Sequence, residues 1–272
     1  MNDSRPFAEV IGDPIAHSKS PLIHNFWLKS LGMDADYRLA HVTSDALPAF
    51  IAERQENLQW RGCNVTIPHK VAVMDHVCDP GGVKDSIGAM NTIIRQPDGE
   101  LIGTNTDAAG FFAPISDVNL DGAPVVVIGA GGACRAVLFA LARAGVGEVT
   151  ILNRSPLKAM GLLAKFGLKG NVLALDAALP PAALLVNSSS LGMKGQPALE
   201  VDLSPLPDDA IVYDLVYAPL ETGLLRAAAA RNLATIDGLD MLIGQAAMAF
   251  ELFFGAPPPS DKDDELRALL TA

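Results

Sequence analysis

The chain has 272 residues, half of them hydrophobic and 19% charged, which is the balance of a globular protein with room for two cores and excludes a disordered chain. A formal net charge of -11 repels phosphate backbones and anionic lipid, so nucleic acid and membrane surfaces are excluded as partners and a small molecule is expected. No apolar run approaches the ~20 residues that cross a bilayer.

The start, from Met1 to Arg5, is polar and carries no secretion-signal pattern, which points to the cytoplasm. Cys63, Cys78 and Cys134 are scattered without metal-type spacing and read as free, buried thiols in a reducing compartment. A strand is expected over 8–11, then a helix with Ser20 as N-cap, Pro21 as first helical residue and Gly32 as stop. An extended piece over 35–42, a helix over 44–53, a strand over 62–66 and a short helix from Pro68 or Lys70 follow. Segments 90–95 and 100–103 flank Gln96-Pro97-Asp98-Gly99, a turn composition that predicts a hairpin. Residues 1–106 therefore read as a mixed α/β substrate domain.

After Asp107 the pattern alternates. A helix to Ser116 and a polar turn over 119–124 lead into Val125-Val126-Val127-Ile128, a β-branched run of the kind buried on both faces of a parallel sheet. Helix 133–144, strand 149–152, helix 156–166, strands 184–186 and 211–214, helix 222–232 and strand 234–236 complete the series. Such alternation predicts a doubly wound, Rossmann-type domain over 107–236. An apolar helix over 240–254 and a short charged helix near 261–265 form the remaining segment, 237–272.

Gly129-Ala130-Gly131-Gly132-Ala133 sits between the buried strand and the next helix. Glycines there let the backbone approach a pyrophosphate, and the helix start supplies free amides and positive dipole. A tight turn without a ligand would look similar, and the third small position is Cys134 where the fingerprint has glycine. The end of the next strand separates the cofactors. NAD sites place an acid about 20 residues past the glycines, whereas this chain has Asn153-Arg154-Ser155 followed by Lys158. A planar guanidinium and a second cation match a 2′-phosphate, so NADP is expected in preference to NAD.

Four polar segments carry more hydrogen-bonding groups than loops need: His17-Ser18-Lys19-Ser20, Asn64 to Lys70, Asn91-Thr92 and Asn105-Thr106-Asp107. Each falls at an expected strand end or helix start, where a scaffold can aim side chains into a cleft. Amides, hydroxyls, one ammonium and one carboxylate match a small polyhydroxylated acid. Taken singly, Ser20 and Asp107 also read as helix caps and Asn64 and Asn91 as turn residues. His17, His24 and His69 read as packing or hydrogen-bonding residues, since no acid or cysteine completes a metal site.

In order and wording these segments resemble the shikimate dehydrogenase family over nearly the whole chain. The matching pieces are Gly12 to Asn25, Asn64 to Lys70, Gly88 to Thr92, Gly103 to Asp107, Gly129 to Ala133 and Asn153-Arg154. Downstream, Asn187 to Met193, Tyr213 to Pro219 and Gly238 to Phe250 also match. Ser188-Ser189 departs from the family's usual Ala-Thr, and Phe253-Phe254 from its aromatic-Thr pair. The resemblance implies NADPH-dependent reduction of 3-dehydroshikimate to shikimate, a step of aromatic amino-acid biosynthesis, by a monomer or homodimer. It implies that Ser18 and Ser20 hold the substrate carboxylate, that Asn64, Thr66, Asn91, Asp107 and Gln245 bind ring hydroxyls, and that Lys70 and Asp107 are the catalytic pair. Tyr217 would lie near carboxylate and nicotinamide, Gly238 and Met241 would line the nicotinamide pocket, and the last long helix would return to the N-terminal domain. A quinate/shikimate dehydrogenase using NAD and a non-catalytic NADP-binding regulator on the same fold are the alternatives.

Overall fold

The computed structural model describes residues 5–271 and leaves the side chain of Lys158 undescribed; residues 1–4 of the polar start lie outside the described residues. The chain divides into two compact units. One comprises the chain up to Thr106 together with everything from Gln245 onward, and the other runs from Asp107 to Gly244.

The first unit is built on a five-stranded sheet in the order β2-β1-β3-β4-β5. Strands β1 (Phe7–Gly12), β2 (Asp36–His41) and β3 (Trp60–Val65) are parallel, and β4 (Thr92–Arg95) with β5 (Leu101–Thr104) form the antiparallel hairpin that the turn composition predicts. Every residue of β1 is buried, as befits a central strand covered on both faces. Helix α1 (Ser20–Ser30) begins one residue earlier than expected: Lys19 occupies the cap with helical backbone angles and no side chain caps the helix. Ser20 is therefore not an N-cap, and its hydroxyl is released from that duty. Helix α2 (Leu47–Gln55) starts after a turn in which Ala46 N–H bonds the Thr43 carbonyl. The helix expected at Pro68 or Lys70 is only a single tight turn, Ala72–Asp75. A short helix α3 (Val83–Ser86) was not expected; Asp79 starts it by accepting from the amides of Val83 at 2.8 Å and Lys84 at 2.7 Å.

The second unit holds a six-stranded, all-parallel sheet in the order β11-β10-β9-β6-β7-β8. Its strands are β6 (Val125–Ile128), β7 (Val149–Leu152), β8 (Gly170–Leu173), β9 (Leu184–Asn187), β10 (Ile211–Asp214) and β11 (Ala234–Ile236). Helix α4 (Asp107–Phe112) leads into the sheet, and helices α5 (Gly132–Arg143), α6 (Pro156–Lys165) and α7 (Gly223–Ala230) connect its strands. One core gathers Phe111, Val127, Val137, Ile151, Val186 and Tyr213, and a second gathers Ile128, Leu185, Val212 and Leu224. Numbered from β6, the strand order is that of a Rossmann sheet, with its reversal between β6 and β9, the place where such sheets bind ligands at the strands' carboxyl ends.

Helix α8 (Gly238–Phe254) carries the division within it, between Gly244 and Gln245, rather than at residue 237 as the sequence led us to expect. Its second half packs in the first unit, where Phe250 meets Trp27 edge-on at 5.4 Å, and α9 (Asp263–Thr271) lies beside α1. Cys63 and Cys134 are buried, but Cys78 is exposed, contrary to expectation. It extends the outer side of β5 through backbone bonds to Leu101 and Gly103, which leaves its side chain at the sheet margin. Among the described residues no helix is long and apolar enough to cross a membrane.

Candidate active site

In the first unit, register brings the polar segments to one end of the sheet. Asn64 pairs with Thr92 across β3 and β4, and Thr92 with Thr104 across β4 and β5. Because β4 runs antiparallel to both neighbours, its start lies beside their ends. The loop after β1 joins the same end: Asp13 N–H bonds the Ile67 carbonyl at 3.0 Å and Thr66 N–H bonds the Ile11 carbonyl at 3.0 Å.

Ser18 is half-buried and its hydroxyl accepts from the Ser20 amide at 3.3 Å; Ser20 is buried. The Lys19 ammonium donates to the Leu270 carbonyl at the end of α9, tying this loop to the C-terminal helix. Asn64 is 5% exposed and makes three bonds: Oδ1 accepts from the Tyr37 hydroxyl at 2.6 Å, and Nδ2 donates to Thr92 Oγ1 at 3.0 Å and the Asn91 carbonyl at 3.4 Å. Asn91 Nδ2 donates to Thr106 Oγ1 at 2.9 Å and Gln245 Oε1 at 3.4 Å, while its Oδ1 accepts from the Thr106 amide at 2.7 Å. Gln245 thus joins the polar row, so the latter half of α8 does return to this unit. Lys70 is half-buried, and its carbonyl accepts from Met90 N–H at 2.7 Å, which anchors it to the segment that leads through Asn91 into β4. His69 donates from Nε2 to the Val42 carbonyl at 2.6 Å and is buried, a structural role.

In the second unit, Asp107 opens α4 and is buried. The glycine turn lies between β6 and α5, at the switch point. Gly129 has φ of 104°, and a Cβ there would stand 3.0 Å from the Ser189 amide and 3.1 Å from Ser188 Oγ. Only glycine suits that conformation and that approach. Gly131 caps α5 and no side chain caps the helix, so the first-turn amides at Gly132 and Ala133 remain donors for an anion; Ala130 completes the turn. Arg154 is exposed after β7 and, with Asn153, Asp176, Leu191 and Glu200, lines a cleft of about 560 Å³. Asn153 Nδ2 holds the Ser155 carbonyl at 2.9 Å, which shapes the entry to α6, the helix that carries Lys158.

A polar cluster at the ends of β9 and β10 has no role assigned from the sequence. Buried Asp214 accepts from Asn187 Nδ2 at 2.8 Å, Thr222 Oγ1 at 2.6 Å and the Val216 amide at 3.0 Å. Desolvation pushes its carboxyl up, against the opposing pull of those three donors. Thr222 in turn caps α7 by accepting from Leu225 N–H at 3.2 Å. Ser188 Oγ donates to the Ile128 carbonyl at 2.8 Å, bracing the strand that feeds the glycine turn. Cys134 beside it is buried, and desolvation pushes its thiol up to about 12. The signal for this cluster was present in the polar run that ends the apolar strand β9.

Gly238 is required by close approach, since a Cβ would lie 2.3 Å from the Leu215 carbonyl oxygen. Met241 packs into the core of the second unit. Tyr217 is half-buried, and desolvation raises its phenol above the usual range. Among the described residues no group of three or more His, Cys, Asp and Glu is placed to hold a metal ion.

A protein named shikimate dehydrogenase (NADP(+)) from Sphingopyxis alaskensis is 76% identical over 267 residues, 98% of this chain and 97% of that one. The chain belongs to the shikimate dehydrogenase family. Family models for the shikimate dehydrogenase substrate binding domain, shikimate / quinate 5-dehydrogenase and the shikimate 5'-dehydrogenase C-terminal domain match residues 10–93, 113–189 and 238–263. Among solved structures, shikimate 5-dehydrogenase of Thermus thermophilus in complex with NADP(H) and shikimate is 38% identical, with a TM-score of 0.86 over 97% of this chain and 99% of that one. Quinate dehydrogenase of Corynebacterium glutamicum in complex with NAD is 29% identical, with a TM-score of 0.85 over 97% and 99%.

Proposed function

We propose that the chain catalyses the reversible reduction of 3-dehydroshikimate to shikimate with NADPH. The observation that carries this reading is the single row of amides and hydroxyls from Asn64 to Gln245 at one end of the first sheet. Such a row recognises a polyhydroxylated ring and would be left unsatisfied by an apolar ligand.

In this reading Ser18 and Ser20 bind the substrate carboxylate, and Asn64, Thr66, Asn91, Asp107 and Gln245 bind ring hydroxyls. Gly129, Ala130, Gly131, Gly132 and Ala133 seat the pyrophosphate. Asn153, Arg154, Ser155 and Lys158 face the 2′-phosphate, with no acid at the end of β7 to select a ribose hydroxyl. Tyr217, Gly238 and Met241 border the nicotinamide. The bound cofactor supplies or accepts the hydride. Lys70 supplies the proton to the carbonyl oxygen or stabilises the alkoxide, and Asp107 holds the lysine and substrate oxygen in register. We place the protein in the cytoplasm as a monomer or homodimer; unpaired thiols at all three cysteines support the reducing compartment.

The test is NADPH formation by the purified protein from shikimate and NADP+, run beside NAD+ and quinate. Preference for NAD+ and quinate would replace this reading with the quinate one. Tight NADPH binding without turnover of 3-dehydroshikimate would leave a cofactor-binding regulator.

A further inference from the structure

We infer that Tyr37 is a positioning residue that holds the Asn64 carboxamide in the orientation its row requires, an inference that rests on reading that row as the substrate site. Tyr37 lies on β2, outside every polar segment of the sequence, and is 3% exposed. Its hydroxyl reaches Asn64 Oδ1 at 2.6 Å.

A carboxamide presents an acceptor on one arm and donors on the other, and the two arms have nearly the same shape. A neighbour of fixed polarity is needed to choose between them. For Asn64 that neighbour is the Asn91 carbonyl, which can only accept and so takes Nδ2; the Tyr37 hydroxyl, able to donate or accept, meets Oδ1 and donates to it. With Oδ1 so held, Nδ2 faces Thr92 Oγ1 at 3.0 Å and the Asn91 carbonyl at 3.4 Å. Thr92, its lone pair engaged by Asn64, sends its own hydrogen to Asn91 Oδ1 at 3.1 Å. Asn91 then has its oxygen toward Thr92 and the Thr106 amide and its nitrogen toward Thr106 Oγ1 and Gln245 Oε1. Every link donates in the same sense; the Thr106 amide, a donor only, fixes Asn91, and Tyr37 adds its hold on Asn64 at the other end of the row. Asn64 Oδ1 retains its second lone pair for a ring hydroxyl. A flipped Asn64 would offer that hydroxyl a donor and would oppose the direction at Thr92.

The phenol is held where this requires. His24 stacks on its ring at 3.9 Å, Phe253 approaches at 6.3 Å, and the Asn25 side chain bonds both the backbone N–H and the carbonyl of Tyr37, at 2.9 and 2.8 Å. Desolvation, with Cys63 and Glu9 nearby, raises the phenol well above its usual range, which keeps its hydroxyl protonated.

The test compares wild type, Tyr37→Phe, Thr92→Val and Thr92→Ser in steady-state assays with shikimate and NADP+. A shikimate analogue lacking one ring hydroxyl serves as a second substrate. Tyr37→Phe and Thr92→Val should each raise KM for shikimate about five- to twenty-fold, the scale of one or two lost hydrogen bonds, and leave KM for NADP+ within about twofold. Selectivity for shikimate over the analogue should fall in both, and Thr92→Ser should restore it. If Tyr37→Phe does not fold, Thr92→Val carries the same expectation. Unchanged shikimate KM and selectivity in a folded variant, or equal losses toward both substrates, overturn the inference while wild-type turnover keeps the functional reading intact. Absence of wild-type turnover overturns that reading and this inference together.

Discussion

His24 lies flat against Tyr37, with ring centroids 3.9 Å apart and planes within 5° of parallel. Neither imidazole nitrogen has a hydrogen-bond partner, and desolvation pushes the ring down to about 3. Between the ordinary value of 6.5 and that depressed one, the unfolded chain binds a proton here and the folded chain does not. Stability from this residue is therefore complete above pH 6.5 and is lost as the pH falls through that window. His24→Phe should reduce the slope of unfolding free energy against pH by up to about 1.4 kcal/mol per unit on the acid side. Urea unfolding between pH 7 and pH 4 reads this directly, and parallel curves for the two proteins would contradict it.

Gly129→Ala forces an alanine to a φ of 104° and drives its Cβ against the Ser188-Ser189 segment. Relief requires the turn to shift away from the place where its amides serve an anion. KM for NADP+ should rise by about tenfold or more, with shikimate KM little changed. Titration of cofactor fluorescence is a sufficient check, and unaltered affinity would remove the turn from the cofactor site.

Arg154→Ala removes the guanidinium from the cleft after β7 while leaving Asn153 in place. NADP+ should lose about 1.5–3 kcal/mol of binding, as for a charge-assisted hydrogen bond, and NAD+ should lose almost none. The ratio of kcat/KM for the two cofactors measures the difference. Equal losses would mean that the 2′-phosphate is recognised elsewhere.

Lys70→Ala should lower kcat by about 10²–10⁴ through loss of acid–base catalysis, with shikimate affinity retained within a few-fold. Binding is followed by calorimetry and turnover by NADPH absorbance. Turnover close to wild type would exclude Lys70 from proton transfer.

The parts of the fold most legible in the sequence are the buried strands of the second sheet. Val125–Ile128, Val149–Leu152 and Ile211–Asp214 match expectation residue for residue, because short apolar β-branched runs bounded by turns leave little choice; the largely exposed edge strand Ala234–Ile236 also matches. β8 escaped because Gly170 and Asn171 are exposed on an edge strand that has no apolar pattern to show. Ser20 was misassigned as a cap because Pro21 is tolerated in either of the first two helical positions, so it does not fix the boundary to one residue. Candidate polar residues were visible as clusters, yet Tyr37 was not, since its bond to Asn64 joins residues 27 positions apart across the sheet. Nothing local to β2 announces it.

The division inside α8 bears on how the protein can be cut. Residues that complete the first unit, Phe250 against Trp27 and His24 among them, arrive only after the whole second unit has been made. A fragment ending at residue 106 would expose the apolar side of α1, so it should aggregate or stay molten when expressed alone, and a nascent chain would complete this layer last. Supplying residues 245–272 through a short linker after 106 should rescue it, whereas a second unit spanning 107–244 carries its own two cores.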